Sequence, residues 1–111
     1  MQADKSLNEY VMRDLLDGLS GITSRAMFGG YGIYKNGKIF AIIADGQLYF
    51  KVGDNNRSDY EKYASAPFTY MNHGKPMQMS YWQLPQEIMD SKDQIEVWIE
   101  KSLSVGKKKK K

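Results

Sequence analysis

Two turn signals, nine positions apart, constrain the fold of this chain most strongly. Asn36-Gly37 and Asp45-Gly46 are dipeptides of the kind that forms type I′ turns, in which both central residues take positive φ. The stretch between them, Lys38–Ala44, is apolar on both faces, which indicates a strand inside a sheet. The stretch after the second turn, Gln47–Val52, alternates between apolar and polar residues. Together these features predict three antiparallel strands in a meander.

The first strand of this meander, Ser24–Tyr34, contains Gly29, Gly30 and Gly32. A phosphate-binding loop of the Gly-x-x-x-x-Gly-Lys-Ser/Thr type opens a helix, whereas these glycines lead into a strand pattern. We interpret them as residues that kink or bulge the strand, or that allow another backbone to approach closely.

Three capping boxes of the form Ser-x-x-Glu/Gln predict helix starts at Ser6, Ser58 and Ser91. Apolar residues at spacings of three and four predict a first helix over about Ser6–Asp17 and a last helix over about Lys92–Leu103. The middle helix is short.

Two further strands are predicted at Phe68–Met71 and Met77–Leu84. The predicted order is therefore α-β-β-β-α-β-β-α. Because tight turns join most of the strands, we expect an α+β fold in two layers, with a five-stranded, mainly antiparallel sheet and helices on one face.

The formal net charge of +3 has an uneven origin. Residues 1–106 hold 11 Lys/Arg and 13 Asp/Glu, a net charge of −2, and residues 107–111 are five lysines. We expect one domain over 1–106 and a disordered lysine tail over 107–111, since adjacent like charges repel and bury nothing.

Several classes of protein are excluded or disfavoured. The chain has no cysteine, which excludes disulfides and thiolate metal sites. Its longest apolar run, residues 39–44, is far shorter than the roughly 20 residues that a membrane-spanning helix needs. The first residues lack the apolar core of a signal peptide. These features predict a soluble cytoplasmic protein without a stable membrane attachment.

The residues that usually carry catalysis or bind metal ions are sparse. The single histidine, His73, lies in a predicted turn, and the carboxylates belong to caps, turns and polar helix faces. A catalytic triad or a zinc site therefore lacks its parts. We expect no metal and no cofactor.

The meander carries most of the features that point to a binding partner. Segment 25–52 has four cations against one acid, Asp45, and its aromatic residues are too many for a small core. Exposed aromatics on a sheet can stack on nucleic-acid bases or anchor a protein partner, although a merely solvated outer face is an equal alternative. The candidate partner-binding residues are Arg25, Tyr31, Tyr49 and Lys51.

An ordered set of motifs carries a family resemblance. It comprises Arg25–Tyr34 (Arg-Ala-Met-Phe-Gly-Gly-Tyr-Gly-Ile-Tyr), Ala44-Asp45-Gly46, Leu48-Tyr49-Phe50-Lys51, Pro67–Tyr70 and Met79–Trp82. Together these motifs resemble the N-terminal domain of the TfoX/Sxy family of competence regulators, from the first helix to Trp98. The resemblance implies a bacterial cytoplasmic protein with a five-stranded antiparallel sheet and no catalytic residues. It also implies a role in transcription of DNA-uptake genes, as a co-activator acting with the cyclic-AMP receptor protein.

These observations support three functional hypotheses. The leading one is a non-enzymatic regulatory module that contacts a protein of the transcription machinery. The alternative is direct nucleic-acid binding, weak and driven by the lysine tail, for which about five phosphate contacts give a salt slope near −4.5. The third is an enzyme with an unrecognised site, which a cleft holding a carboxylate beside Arg25 or His73 would support.

Overall fold

The computed structural model describes residues 2–27 and 30–105. Helix α1 (Gln2–Tyr10) continues as one π-helical turn over Val11–Leu15. The six strands are β1 (Ile22–Met27), β2 (Gly30–Lys35), β3 (Lys38–Ala44), β4 (Gln47–Lys51), β5 (Pro67–Asn72) and β6 (Lys75–Gln83). The remaining helices are α2 (Arg57–Glu61), α3 (Gln86–Met89) and α4 (Lys92–Leu103).

The strands form one antiparallel sheet in the order β1-β2-β3-β4-β6-β5. This confirms the expected α+β class and corrects the expected strand count, since the sheet has six strands and not five. The order of elements also differs from the prediction, because the short helix α3 comes after β6 and was not predicted.

The extra strand arises where a single strand was predicted over Ser24–Tyr34. Met27 of β1 pairs with Gly30 of β2, so residues 28 and 29, which lie outside the described residues, separate two antiparallel strands. The sequence has no Asn-Gly or Asp-Gly dipeptide there, so the local turn signal that marks the β2–β3 and β3–β4 hairpins is missing.

The predicted turns between the meander strands are confirmed. Asn36 and Gly37 have φ of 51° and 84°, and Asp45 and Gly46 have φ of 52° and 73°. Positive φ at both central positions is the signature of the type I′ hairpin.

The capping boxes predicted helix starts less well. Helix α1 already begins at Gln2, so Ser6 lies inside it, and α2 begins at Arg57 after Asn56. Helix α4 does begin after Ser91, but the Ser91 side chain makes no capping hydrogen bond. A four-residue pattern is short enough to recur where the neighbouring residues already favour helix.

The helices and one face of the sheet share a single core. Helix α1 packs on β2, β3 and β4, and α4 packs on β3 and β4. At its centre the rings of Phe40 and Phe50 meet edge to face at 5.5 Å. The buried Asp4 carboxylate accepts a hydrogen bond from the Gly46 amide, which ties α1 to the β3–β4 turn. None of the described helices is long and apolar enough to cross a membrane.

Candidate partner-binding face

Charge is divided unequally between the strands and the rest of the molecule. None of the six strands contains Asp or Glu, and together they carry five cations. The helices, turns and loops of residues 2–105 hold all thirteen carboxylates and only six Lys/Arg, a net charge of −7. The strand cations are Arg25, Lys35, Lys38, Lys51 and Lys75.

One cross-strand row defines the sheet face that points away from the core. Arg25 pairs with Gly32, Gly32 with Ile42, Ile42 with Tyr49, and Tyr49 with Gln83. Residues paired directly across antiparallel strands project from the same face. We call this face the open face, and it also carries the positions two residues away along each strand, except on β3, where a register shift puts Ile39 and not Phe40 on this face.

A shallow apolar groove of about 380 Å³ lies on the open face. Its floor is aliphatic, and aromatic side chains of β5 and β6 form one wall. No charged residue lines it within the part of the chain that the structure describes. The residues that shape the groove are Met27, Ile39, Ile42, Ala44, Phe68, Tyr70, Met79 and Tyr81.

Two glycines of β2 lie at the groove, and at each of them a neighbouring atom occupies the place of a side chain. A Cβ at Gly30 would overlap the carbonyl oxygen of Ile43, and a Cβ at Gly32 would overlap the sulfur of Met27. Gly32 thus leaves the middle of the open-face row without a side chain, beside Met27 and Ile39. The interpretation of these glycines as sites of close backbone approach therefore fits Gly30, whereas Gly32 accommodates side chains.

The tyrosines of the open face are partly withdrawn from water. The rings of Tyr49 and Phe68 meet edge to face at 5.0 Å. Burial raises the pKa of Tyr49, and the Asp45 carboxylate raises it further. Burial also raises the pKa of Tyr81, with a smaller contribution from Tyr34. These hydroxyls therefore stay protonated at neutral pH and can both donate and accept hydrogen bonds.

The cations of the meander do not form a single patch. Lys35 makes an ion pair of 2.9 Å with Glu100 of α4, and Lys38 borders the same surface depression as Glu100. Arg25 instead lies over the Tyr34 ring, with its guanidinium carbon 5.9 Å from the ring centroid. The four cations that lie close together in the sequence are thus divided between the two sides of the sheet.

The four predicted partner-binding residues also divide between the two faces. Arg25, Tyr49 and Lys51 share the open face, because Lys51 pairs with the groove residue Tyr81. Tyr31 borders the groove but pairs with the buried Ile43 and packs against the core. Arg25 is exposed, whereas Tyr31, Tyr49 and Lys51 are half-buried and not exposed as expected. Their role in binding stays a prediction.

Several groove residues were not singled out by the sequence. Methionines on strands most often fill a core, but Met27 and Met79 line the groove instead. Ile42 belongs to the strand that was predicted to lie inside the sheet, as β3 does, but the sequence did not show that Ile42 is only half-buried and lines the groove. The absence of acidic residues from every strand was the one sequence signal that could have indicated this face. The sequence did not show that β6 pairs with β4, which brings the two halves of the groove together.

The described residues hold little that suggests catalysis. The exposed His73 lies at the β5–β6 turn, with φ of 53°. Within residues 2–27 and 30–105, no group of three or more His, Asp and Glu side chains is placed to hold a metal ion.

The comparison with protein families agrees with this fold and these motifs. The model of the TfoX N-terminal domain matches residues 14–105, and the chain belongs to that family, which is a family of competence-related regulators and not a known enzyme family. A relative by sequence is Protein Sxy of Escherichia coli (strain K12), 24% identical over 79 residues. The match covers 71% of this chain and 38% of that protein, so the chain spans well under half the length of this curated relative.

Proposed function

We propose that the chain is a non-enzymatic regulatory module that acts by protein–protein contact in the co-activation of DNA-uptake genes. The observation that carries the proposal is an apolar groove on a sheet face that the described helices leave uncovered. Membership of a competence-related family supplies the regulatory context. The family resemblance suggests the cyclic-AMP receptor protein as the partner.

The groove is suited to anchor apolar side chains of a partner. Its floor and wall are aliphatic and aromatic, and the tyrosine hydroxyls of Tyr70 and Tyr81 supply polar groups at its side. Burying two side chains of leucine or phenylalanine size contributes about 3–6 kcal/mol before the cost of association. Because association itself costs about 4 kcal/mol or more, the groove supplies an anchor and the contacts around it must supply the rest of the affinity, which suits a reversible, regulatory complex.

Binding to the receptor protein tests this function directly. We expect the full chain to bind it in the presence of cyclic AMP, either free or on promoter DNA, in a titration followed by fluorescence anisotropy. Ile42→Glu places a charge in the groove and should weaken binding at least about tenfold, since burying an unpaired charge is costly. Val97→Glu is the matched control, because Val97 is 54% exposed on α4, away from the groove.

Both variants must first show the circular dichroism and thermal midpoint of a folded chain. An intact, folded wild-type chain that binds the receptor protein in neither format would refute the specific partner. Equal loss of binding in both variants would remove the groove from the contact.

Direct nucleic-acid binding is the second candidate, supported by Arg25, Lys51 and Lys75 on the strands of the open face. Three phosphate contacts give a salt slope of only about −2.7 on duplex DNA. If DNA affinity disappears when residues 107–111 are deleted, the lysine tail is the source of that affinity.

A further inference from the structure

We infer that the groove binds an amphipathic protein segment whose polar side chains are acidic. This inference rests on the proposed function in one respect, because it takes the partner to be a protein. It adds the chemistry by which that partner is recognised.

The charged residues on the strands of the open face are all positive, and the one acid shown to act on this face is Asp45 of the β3–β4 turn, near Tyr49. Arg25 and Lys51 share the open face with the groove, and Lys75 joins them, since it alternates in phase with the groove residues Met79 and Tyr81 along β6. No strand of the sheet offers a carboxylate to a basic partner. A basic segment would be attracted to the helices and loops, whose net charge is −7, and not to the open face.

The lining of the groove favours apolar side chains over nucleic-acid bases. Met27, Ile42 and Met79 present aliphatic groups and sulfur, whereas base recognition on a sheet uses stacking on exposed aromatic faces. The Tyr49 and Phe68 rings meet edge to face, so these two rings are engaged with each other. An apolar stripe on a helix therefore gains more binding free energy from contact with this groove floor than a row of bases does.

The geometry fits a single amphipathic segment. The groove volume of about 380 Å³ is near the lower end of the range for ligand pockets, roughly 300–1,000 Å³, and takes a few side chains and not a folded domain. Carboxylates flanking the apolar stripe of the segment would then face the cations of the open face, in the helix-in-groove mode of recognition. Charges around a contact of this kind mainly set the association rate and the choice of partner.

Three synthetic peptides of about 15 residues, long enough to form a helix on binding, test the inference with the full chain. The first has a Leu/Phe stripe and a Glu face, the second has Lys in place of each Glu, and the third keeps Glu but has Ser in place of the apolar stripe. We expect the first to bind at least about tenfold more tightly than either of the others at low salt. Amide shifts in NMR spectra should map its contact to Ile42, Met79 and Tyr81.

Charge-reversed variants distinguish the contribution of the open face to peptide binding from that of the lysine tail, because every variant retains the tail. Arg25→Glu combined with Lys51→Glu should weaken binding of the first peptide about tenfold at low salt and less at about 0.5 M salt. Lys5→Glu combined with Lys62→Glu changes the net charge equally on exposed positions outside the strands, and should leave the affinity within about twofold. Equal weakening by both double variants would overturn the inference, because it would show a response to net charge alone.

Other outcomes also decide the matter. Equal binding of the acidic and basic amphipathic peptides would overturn the inference. The inference would also be overturned if single-stranded oligo-dT bound more tightly than the acidic peptide and only the Arg25/Lys51 double variant lost that binding. The open face would then be a nucleic-acid-binding face. Sedimentation should show a monomer, and self-association abolished by Ile42→Glu would assign the groove to a second copy of the chain. If the acidic peptide binds the groove while the receptor protein does not bind, the proposed partner fails and this inference stands. If the receptor protein binds while the acidic peptide does not, this inference fails and the proposed partner stands.

Discussion

Two glycines on the same strand should respond to the same added methyl group with very different losses of stability. At Gly30 the new Cβ of alanine would overlap the backbone carbonyl oxygen of Ile43, which the sheet holds in place. At Gly32 it would overlap the sulfur of Met27, which is the far end of a flexible side chain. Steric cost is therefore unavoidable at the first position and can be relieved at the second.

The magnitudes can be worked out from these contacts. Replacing glycine by alanine stabilises by about 0.4–1 kcal/mol through the unfolded chain when the native backbone accepts the residue. Overpacking costs typically 1–3 kcal/mol, and at Gly30 the clash with a carbonyl places the cost at the upper end of that range. We expect Gly30→Ala to lower the free energy of unfolding by about 2 kcal/mol and Gly32→Ala to change it by less than about 1 kcal/mol.

Urea unfolding followed by circular dichroism measures both free energies, and thermal unfolding provides a second reading. A loss of about 2 kcal/mol corresponds to a fall in Tm of roughly 10 °C in a chain of this size. Gly32→Ala should also weaken peptide binding, because its methyl group projects from the open face beside Met27 and Ile39. Equal destabilisation by the two variants would refute the distinction between a rigid and a flexible neighbour.

Three further predictions concern groups outside the groove. Asn56→Ala should cost about 2–4 kcal/mol in urea unfolding, because the buried amide accepts a hydrogen bond from the amide N–H of Gly53 at 2.8 Å and donates one to a carbonyl at 3.1 Å. Lys35→Ala should cost under about 1 kcal/mol, an effect that high salt removes, because Glu100 is largely exposed. Burial raises the pKa of Tyr60, and its hydroxyl has no hydrogen-bond partner among the described residues, because the nearby Ser102 hydroxyl donates to the Lys51 carbonyl. The unfolded tyrosine loses its proton first, so stability should be fully present below about pH 10 and fall above it; Tyr60→Phe should reduce that fall and cost little at pH 7.

The parts of the fold that local chemistry dictates were predictable from the sequence. Asn36-Gly37 and Asp45-Gly46 form the expected turns, because a requirement for positive φ at two adjacent residues restricts the residue types strongly. The hairpin between β1 and β2 has no such pair, and it was missed. Helix starts at Ser6 and Ser58 were also wrong, since a capping box is weak beside the propensities of the residues around it.

The candidate site depends on pairings that no local pattern reveals. A register shift between Ile33 and Tyr34 changes which residues of β2 and β3 share a face. Alternation along β2 puts Tyr31 and Tyr34 on opposite faces without saying which of them faces the core; in the structure Tyr31 packs against the core and Tyr34 lies on the open face. Four of the residues that line the groove come from β5 and β6, which reach the meander only because β6 pairs with β4.

The segregation of charge has no evident explanation in stability. Acids are depleted from strands in general, but lysine is depleted there as well, and these strands still carry five cations. A glutamate at an exposed position such as Thr23 would change the free energy of unfolding by at most about 0.5 kcal/mol. Folding therefore tolerates acids on the open face, whereas an acidic partner would be repelled by them. Thr23→Glu separates the two explanations, since it should leave the urea midpoint unchanged and still weaken the acidic peptide more than the peptide in which lysine replaces glutamate.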